Sequence, residues 1–292
     1  MLLHPPVVSS PAELPPADLI LLTVRAFDLE GAIPQISALL GKSGLVLAMQ
    51  NGVGSEEMLG RALGRERVLV GTTTVSVGMD EPGVVTRNSR SGGVGLATMS
   101  GNPVPAWIPQ LFRTAELPTV LVEDYRSLRW SKLLLNMLGA VGCAVLDVDM
   151  PQVVSHASLF RIEQLAFREA GRVMDARRIS SVSLPGYPVP VVRLIMRLPR
   201  SLAQYILAPR LKGARGGRPP TMRADLARGR TEVAYLNGAV TREASELGLP
   251  APVNGALTWL AEELTRYPER RATFHGHPER LIAYMRECGI RL

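Results

Sequence analysis

The stretch Asp18–Gly52, DLILLTVRAFDLEGAIPQISALLGKSGLVLAMQNG, decides the fold class. It opens with Asp18-Leu-Ile-Leu-Leu-Thr-Val24, an apolar run of strand length, of the kind buried on both faces of a sheet. A helical stretch follows around Leu29–Leu40. Leu45-Val-Leu-Ala-Met49 is the next strand, and it ends in Gln50-Asn51-Gly52. Strand, helix and strand in this order predict an α/β layer with a mostly parallel sheet. Working outward, Ser55–Leu63 reads as a helix with Ser55 as its N-cap. Val68–Val77 is a strand rich in Val and Thr. Gly83–Thr86, Val94–Ala97 and Thr119–Val122 read as further short strands, set off by Gly and Pro.

The texture changes near Glu123, and from Asp124 onward helical patterns dominate. Leu128–Val145 is apolar almost all round and reads as one buried helix; Leu159–Ala176 is amphipathic. Val191–Leu207 can form one basic amphipathic helix, with Arg193, Arg197 and Arg200 at helical spacing. Met222–Leu247 reads as a long helix with Val233, Leu236, Val240, Ala244 and Leu247 on one stripe, stopped by Gly248-Leu-Pro250. Asn254–Tyr267 and Glu279–Glu287 are the last helices. The expected organisation is an α/β domain over 1–123 and an all-helical domain over 124–292. Sites commonly lie in the cleft between two such domains.

Composition narrows the class. The 292 residues are 46% hydrophobic and 20% charged, enough for a full core, so a disordered or fibrous chain is excluded. No window offers ~18 uninterrupted apolar residues, so no transmembrane helix is expected. The N-terminus lacks the positive start and long apolar stretch of a signal peptide, and a cytoplasmic location is the default. Cys143 and Cys288 alone make neither a disulfide framework nor a zinc site. No Cys, Asp or Glu arrangement around His275 and His277 resembles a metal site, so no metal is expected. The net charge of +7 is concentrated: ten Lys or Arg and no acid lie between Ala176 and Ala224, which leaves the rest at −3. With 5% aromatic residues there is little to stack on bases, and nucleic acid is disfavoured. The basic segment is either a solvated insertion or an anion-attracting flap near an acidic substrate or phosphate.

Lys132 and Asn136 carry the clearest chemistry. They stand four apart in Trp130-Ser-Lys132-Leu-Leu-Leu-Asn136, so both point from one helix face. A lysine in this apolar setting either looks into a cleft, where burial lowers its pKa toward acid/base use, or snorkels to the surface. Glu232 abuts an apolar stripe; it either orients a lysine or binds a substrate hydroxyl, or is an ordinary exposed helix glutamate. Asn51 ends a buried strand, where ligands bind in open α/β sheets, although Asn-Gly is also a routine turn. Arg25 ends the preceding strand, and an arginine there could hold a phosphate. Gly92-Gly93-Val-Gly95 is not a dinucleotide fingerprint, because it leads into a strand instead of opening a helix.

Four segments in order resemble the ketopantoate reductase (2-dehydropantoate 2-reductase) family. They are Ala17–Ala26, with Arg25 where the family usually has Lys; Gln50-Asn51-Gly52 with Pro82-Gly83 following; Trp130–Asn136; and Asp225–Glu232 running into Tyr235-Leu-Asn237-Gly238 and Gly248–Asn254. The resemblance implies a Rossmann-like domain followed by a helical domain like that of 6-phosphogluconate dehydrogenase. It implies hydride transfer from NADPH to the ketone of 2-dehydropantoate, giving (R)-pantoate in pantothenate biosynthesis. It assigns Lys132 as the general acid and Glu232 as the group that binds the substrate hydroxyl and places Lys132. Asn136 and Thr221 would contact substrate; Asn51 would position the nicotinamide ribose, with Arg25 near the cofactor. The implied partners are a small 2-oxo acid and NADP(H), with no nucleic acid, no membrane and a possible homodimer.

The chain departs from the family pattern at its start. The family opens with a strand, Gly-x-Gly-x-x-Gly, a helix and a second strand, and none of these is present. Only 17 residues precede Asp18, whereas a βαβ unit needs roughly 30 or more. The favoured expectation is a working start upstream of Met1, with a genuine fragment as the alternative. A sheet without that first strand would carry an unpaired apolar edge. Ala140 stands where the family often has a second asparagine, and Pro219 and Pro220 precede Thr221. The competing reading is a non-catalytic truncated member that serves as an oligomerisation or binding module.

Overall fold

The computed structural model describes residues 4–89, 91–213 and 220–292. Its sheet begins with β1 (Ala17–Leu22), passes through α1 (Leu29–Leu39) to β2 (Leu40–Ala48), and through α2 (Ser55–Leu63) to β3 (Val68–Thr73). A separate hairpin, β4 (Val77–Glu81) and β5 (Val84–Arg87), follows; then come β6 (Val94–Thr98), α3 (Trp107–Thr114) and β7 (Thr119–Leu121). The main sheet has the order β1-β2-β3-β6-β7. β1, β2 and β3 are parallel, β6 runs antiparallel to β3, and β7 is parallel to β6.

Several local expectations need correction. Val68–Val77 is not one strand: β3 ends at Thr73, and the chain leaves the sheet before β4 begins. Ser55 is the first helical residue, and Gly54 caps α2 with φ +115°. β1 is not buried on both faces; it lies at the sheet edge, Leu22 alone is buried, and Leu21 is 54% exposed. α3 covers the opposite face of the sheet, where Ile108 packs with Leu47, Leu69 and Leu96.

The helical part runs α4 (Tyr125–Met137), α5 (Ala140–Leu146), α6 (Met150–Ser155), α7 (Ala157–Ala176), α8 (Val189–Met196) and α9 (Arg200–Lys212). It continues with α10 (Thr221–Ala227), α11 (Asn237–Glu246), α12 (Pro252–Arg266) and α13 (Pro278–Glu287). Three expected helices are broken. Leu128–Val145 divides at Gly139, where φ is +68°, a backbone conformation that L side chains rarely adopt. Val191–Leu207 divides before Pro199: α8 ends at Met196, and Pro199 is the N-cap of α9. Met222–Leu247 divides after Ala227, where Gly229 takes φ +73°, and resumes only at Asn237 after a short 3-10 turn over Val233–Tyr235.

α4 joins the two halves. Asp124 caps it by accepting N–H bonds from Arg126 (3.1 Å) and Ser127 (3.0 Å). Its apolar side chains Leu128, Leu133, Leu134 and Met137 are buried in one core with Val46 and Val70 of the sheet and Phe160 and Leu257 of the helices. Because α4 packs on both β3 and β6, the helix that carries Lys132 and Asn136 lies directly against the sheet.

Candidate active site at the sheet–helix junction

Three segments converge beyond the carboxyl ends of β1 and β2. The loop after β2 is tied to the end of β1 by Gln50 Nε2, which donates to the Leu22 carbonyl (3.0 Å). Its other side meets the 3-10 turn, where Val53 N–H donates to the Tyr235 carbonyl (3.0 Å). Gly52 is required at this approach. It has φ +89°, and a Cβ there would lie 2.5 Å from the Tyr235 oxygen.

Asn51 and Asn136 are brought together: Asn136 Nδ2 donates to Asn51 Oδ1 at 2.8 Å. Lys132 is half-buried one turn earlier on the same face of α4. Glu232 is buried and meets the end of β1. Its Oε2 accepts from Arg25 Nη1 (2.9 Å) and its Oε1 from the Ala26 N–H (3.3 Å). Arg25 Nη2 donates to Asp225 Oδ1 (3.0 Å), so one guanidinium bridges two carboxylates of the helical half. Glu232 therefore lies on no helix; it sits in the turn between α10 and α11, and Arg25 is its partner. Thr221 is exposed at the first turn of α10, whereas Asp225, one turn later, faces the cluster.

Burial pushes the Glu232 carboxyl above its usual range, opposed by Arg25 and the Ala26 N–H and reinforced by Asp225. Burial also raises Asp225, opposed by Arg25, Arg228 and Arg230. Asp225 Oδ2 is buried and has no hydrogen-bond partner among the described residues. Burial pushes both carboxyls up, and the guanidinium they share opposes the rise.

Sequence reasoning missed two residues that support this junction. Arg129 of α4 is 1% exposed. Its Nη1 donates to the carbonyls of Gln50 and Gly71, and its Nη2 to that of Ala48 (2.9 Å). Its Nε lies 3.3 Å from Glu56 Oε2, an ion pair closed from water on both sides. Burial pushes Glu56 up to about 7, with Arg129 opposing and Glu57 adding to the rise. The available signal was a permanently charged residue in an apolar helix, which demands a buried counter-charge.

A dinucleotide would need donors for its pyrophosphate. Gly52-Val53-Gly54 makes a strand-to-helix turn with both glycines at positive φ, but Glu56 and Glu57 occupy the first turn of α2 and already satisfy its preference for negative charge. The first turn of α2 therefore does not suit the phosphates of such a cofactor. Among the described residues no group of three or more His, Cys, Asp or Glu is arranged to hold a metal, and no helix is long and apolar enough to cross a membrane.

A Rossmann-like sheet followed by a helical domain is the architecture of a two-domain oxidoreductase. The family models agree: Ketopantoate reductase PanE/ApbA matches residues 1–101, and Ketopantoate reductase PanE/ApbA C terminal matches 124–265. The chain belongs to the ketopantoate reductase family. It is similar to 2-dehydropantoate 2-reductase of Halobacterium salinarum, with 29% identity over 256 residues, 86% of this chain and 77% of the relative. Among solved structures, a PanE/ApbA family ketopantoate reductase from Ralstonia eutropha matches with TM-score 0.72 and 25% identity, covering 89% of this chain and 80% of the other. The ternary structure of D-mandelate dehydrogenase with NADH and anilino(oxo)acetate matches with TM-score 0.71 and 25% identity, covering 86% of this chain and 77% of the other.

Proposed function

We propose that this chain reduces a 2-oxo acid with NADPH, the acid being 2-dehydropantoate and the product (R)-pantoate, on the route to pantothenate. Residues 1–123 form the cofactor half and 124–292 the substrate and dimerisation half. The observation that carries this reading is the 2.8 Å bond between Asn136 and Asn51, which joins the helix bearing Lys132 to the carboxyl edge of the sheet.

The bound cofactor supplies the hydride. The chain supplies the rest. Lys132 Nζ gives a proton to the substrate oxygen as it turns from carbonyl to alkoxide, and its positive charge stabilises that oxygen while charge builds. Asn136 orients the substrate, and Asn51 holds the nicotinamide ribose. Glu232 accepts a hydrogen bond from the substrate hydroxyl. Arg25 has five N–H donors, so beyond those given to Glu232 and Asp225 it keeps others for a cofactor phosphate.

A second reading takes a different 2-oxo acid. Both Glu232 oxygens already accept a hydrogen bond, and Ala140 offers no polar group to a substrate hydroxyl. The D-mandelate dehydrogenase likeness favours an acid without that hydroxyl and NADH as the reductant.

Steady-state kinetics with NADPH and NADH against 2-dehydropantoate and phenylglyoxylate separate these readings. Lys132→Ala is expected to lower kcat by about 100-fold or more on the true substrate, the usual scale of a lost general acid. An unchanged kcat removes the role assigned to Lys132. Absence of saturable NADPH binding by the folded chain supports the non-catalytic binding-module reading instead.

A further inference from the structure

Part of the basic segment between Ala176 and Ala224 lies away from the junction. Arg193 of α8 and Arg197 at its C-cap lie with Arg168 and Arg172 of α7 around a cleft of about 250 Å³. Asp175 is the one acid among the residues that line it. That carboxylate is shared between Arg193 Nη2 (2.6 Å) and Arg197 Nη2 (3.1 Å). Arg168 spends its N–H groups on the carbonyls of Met196 (2.7 Å) and Leu198 (2.7 Å), and Arg172 on that of Pro250 (3.2 Å). Carbonyls satisfy hydrogen bonds but do not neutralise a cation.

Two further features mark the place as short of negative charge. Arg193 Nε is buried with no hydrogen-bond partner among the described residues. Arg168 is pushed below its usual range by burial and by the charges of Arg161 and Arg172.

We propose that this α7–α8 cleft is a binding site for a phosphate group. A tetrahedral dianion answers the charge imbalance, and guanidinium forks match phosphate oxygens two at a time. The cleft lies below the volume range of pockets that hold drug-sized ligands, about 300–1,000 Å³, which fits inorganic phosphate or a small monoester and not a dinucleotide. Arg197 and Arg172 are exposed, so the anion enters from solvent. None of Arg25, Asn51, Lys132, Asn136, Asp225 or Glu232 lines the cleft. The site is therefore independent of the proposed reductase chemistry. A bound anion would tie α7 to α8 and stabilise the folded chain by mass action.

The test is isothermal titration calorimetry and thermal unfolding in inorganic phosphate against sodium chloride of equal ionic strength. The expected result is a saturable heat and a rise in Tm that chloride does not reproduce. Arg172→Gln and Arg197→Gln replace exposed side chains and leave the Arg168 and Arg193 contacts with the α8 and α7 backbone in place. Each is expected to weaken phosphate binding about tenfold, the scale of one lost charged hydrogen bond. Arg286→Gln, a surface charge change elsewhere, is expected to bind as wild type. A Tm that follows ionic strength alone overturns the proposal. So does wild-type phosphate affinity in the Arg172→Gln/Arg197→Gln double variant, which would put the anion elsewhere on the chain.

Discussion

Arg129→Met tests how the junction is held. Methionine fills much of the same volume but donates nothing, so the Ala48, Gln50 and Gly71 carbonyls lose their guanidinium donors and Glu56 loses its cation. A buried acceptor left unsatisfied costs about 1–3 kcal/mol, and breaking a buried ion pair by removing one partner costs about 3–5 kcal/mol. These do not add. Glu56 titrates near 7, so at neutral pH it can take a proton and escape most of the charge penalty. The carbonyls cannot escape, and they set the cost. Three carbonyls at the lower end of that range come to an expected loss of about 3 kcal/mol, a large share of the roughly 5–15 kcal/mol that stabilises a typical domain. Equilibrium urea unfolding at pH 7 reads it as a lower midpoint at unchanged slope. Arg129→Lys keeps the charge but not the planar fork, and should fall between wild type and Met. Because Gln50 precedes Asn51, the methionine variant should also raise KM for the nicotinamide cofactor. A loss below about 1 kcal/mol in Arg129→Met would refute the account, since even one orphaned carbonyl exceeds it.

Glu56→Gln isolates the other half of the pair. The folded-state carboxyl is raised from 4.5 to about 7, so the folded chain binds this proton more tightly than the unfolded chain. Wild-type stability contributed here is full below pH 4.5 and declines as pH rises to 7, by roughly 3 kcal/mol at 1.36 kcal/mol per pKa unit. Glutamine should abolish that slope; unfolding midpoints at pH 5 and pH 8 that differ as in wild type would sink the assignment. Arg25→Ala leaves Asp225 and Glu232 sharing a buried place with no bridging cation. Arg25 is one-third exposed, so the cost should fall between surface and buried pairs, about 2 kcal/mol. Adding Asp225→Asn should recover part of it, and a double variant no more stable than Arg25→Ala would show that the two carboxylates do not repel.

The strand-and-helix order was legible because it depends on local pattern. The apolar runs at Leu19–Leu22 and Leu45–Ala48 are strands, and the helices at Leu29–Leu39 and Ser55–Leu63 follow their periodicity closely. Breaks were less legible. Pro199 carried a visible signal, but Gly139 and Gly229 did not, because a glycine inside a helical pattern is tolerated until packing selects positive φ.

The site divides in the same way. Lys132 and Asn136 share a face by spacing alone, and Asn51 ends a strand where ligand loops gather; their meeting follows once α4 packs on the sheet. Arg25, Asp225 and Glu232 could not be joined this way. Arg25 lies 207 residues from Glu232 and 200 from Asp225, and each was read from its own neighbourhood. At a strand end Arg25 read as a group that could hold a phosphate; the fold adds that two of its nitrogens bond carboxylates of the helical half. The same logic separates Arg129 from Arg172. Both are arginines on helices, yet Arg129 is matched by Glu56 and three carbonyls, whereas the cleft that Arg172 lines holds four arginines and one acid, with Glu169 close enough to Arg172 to feel its charge. A helical pattern states which face a charge lies on. Whether that charge is answered depends on what the distant chain brings to the same place.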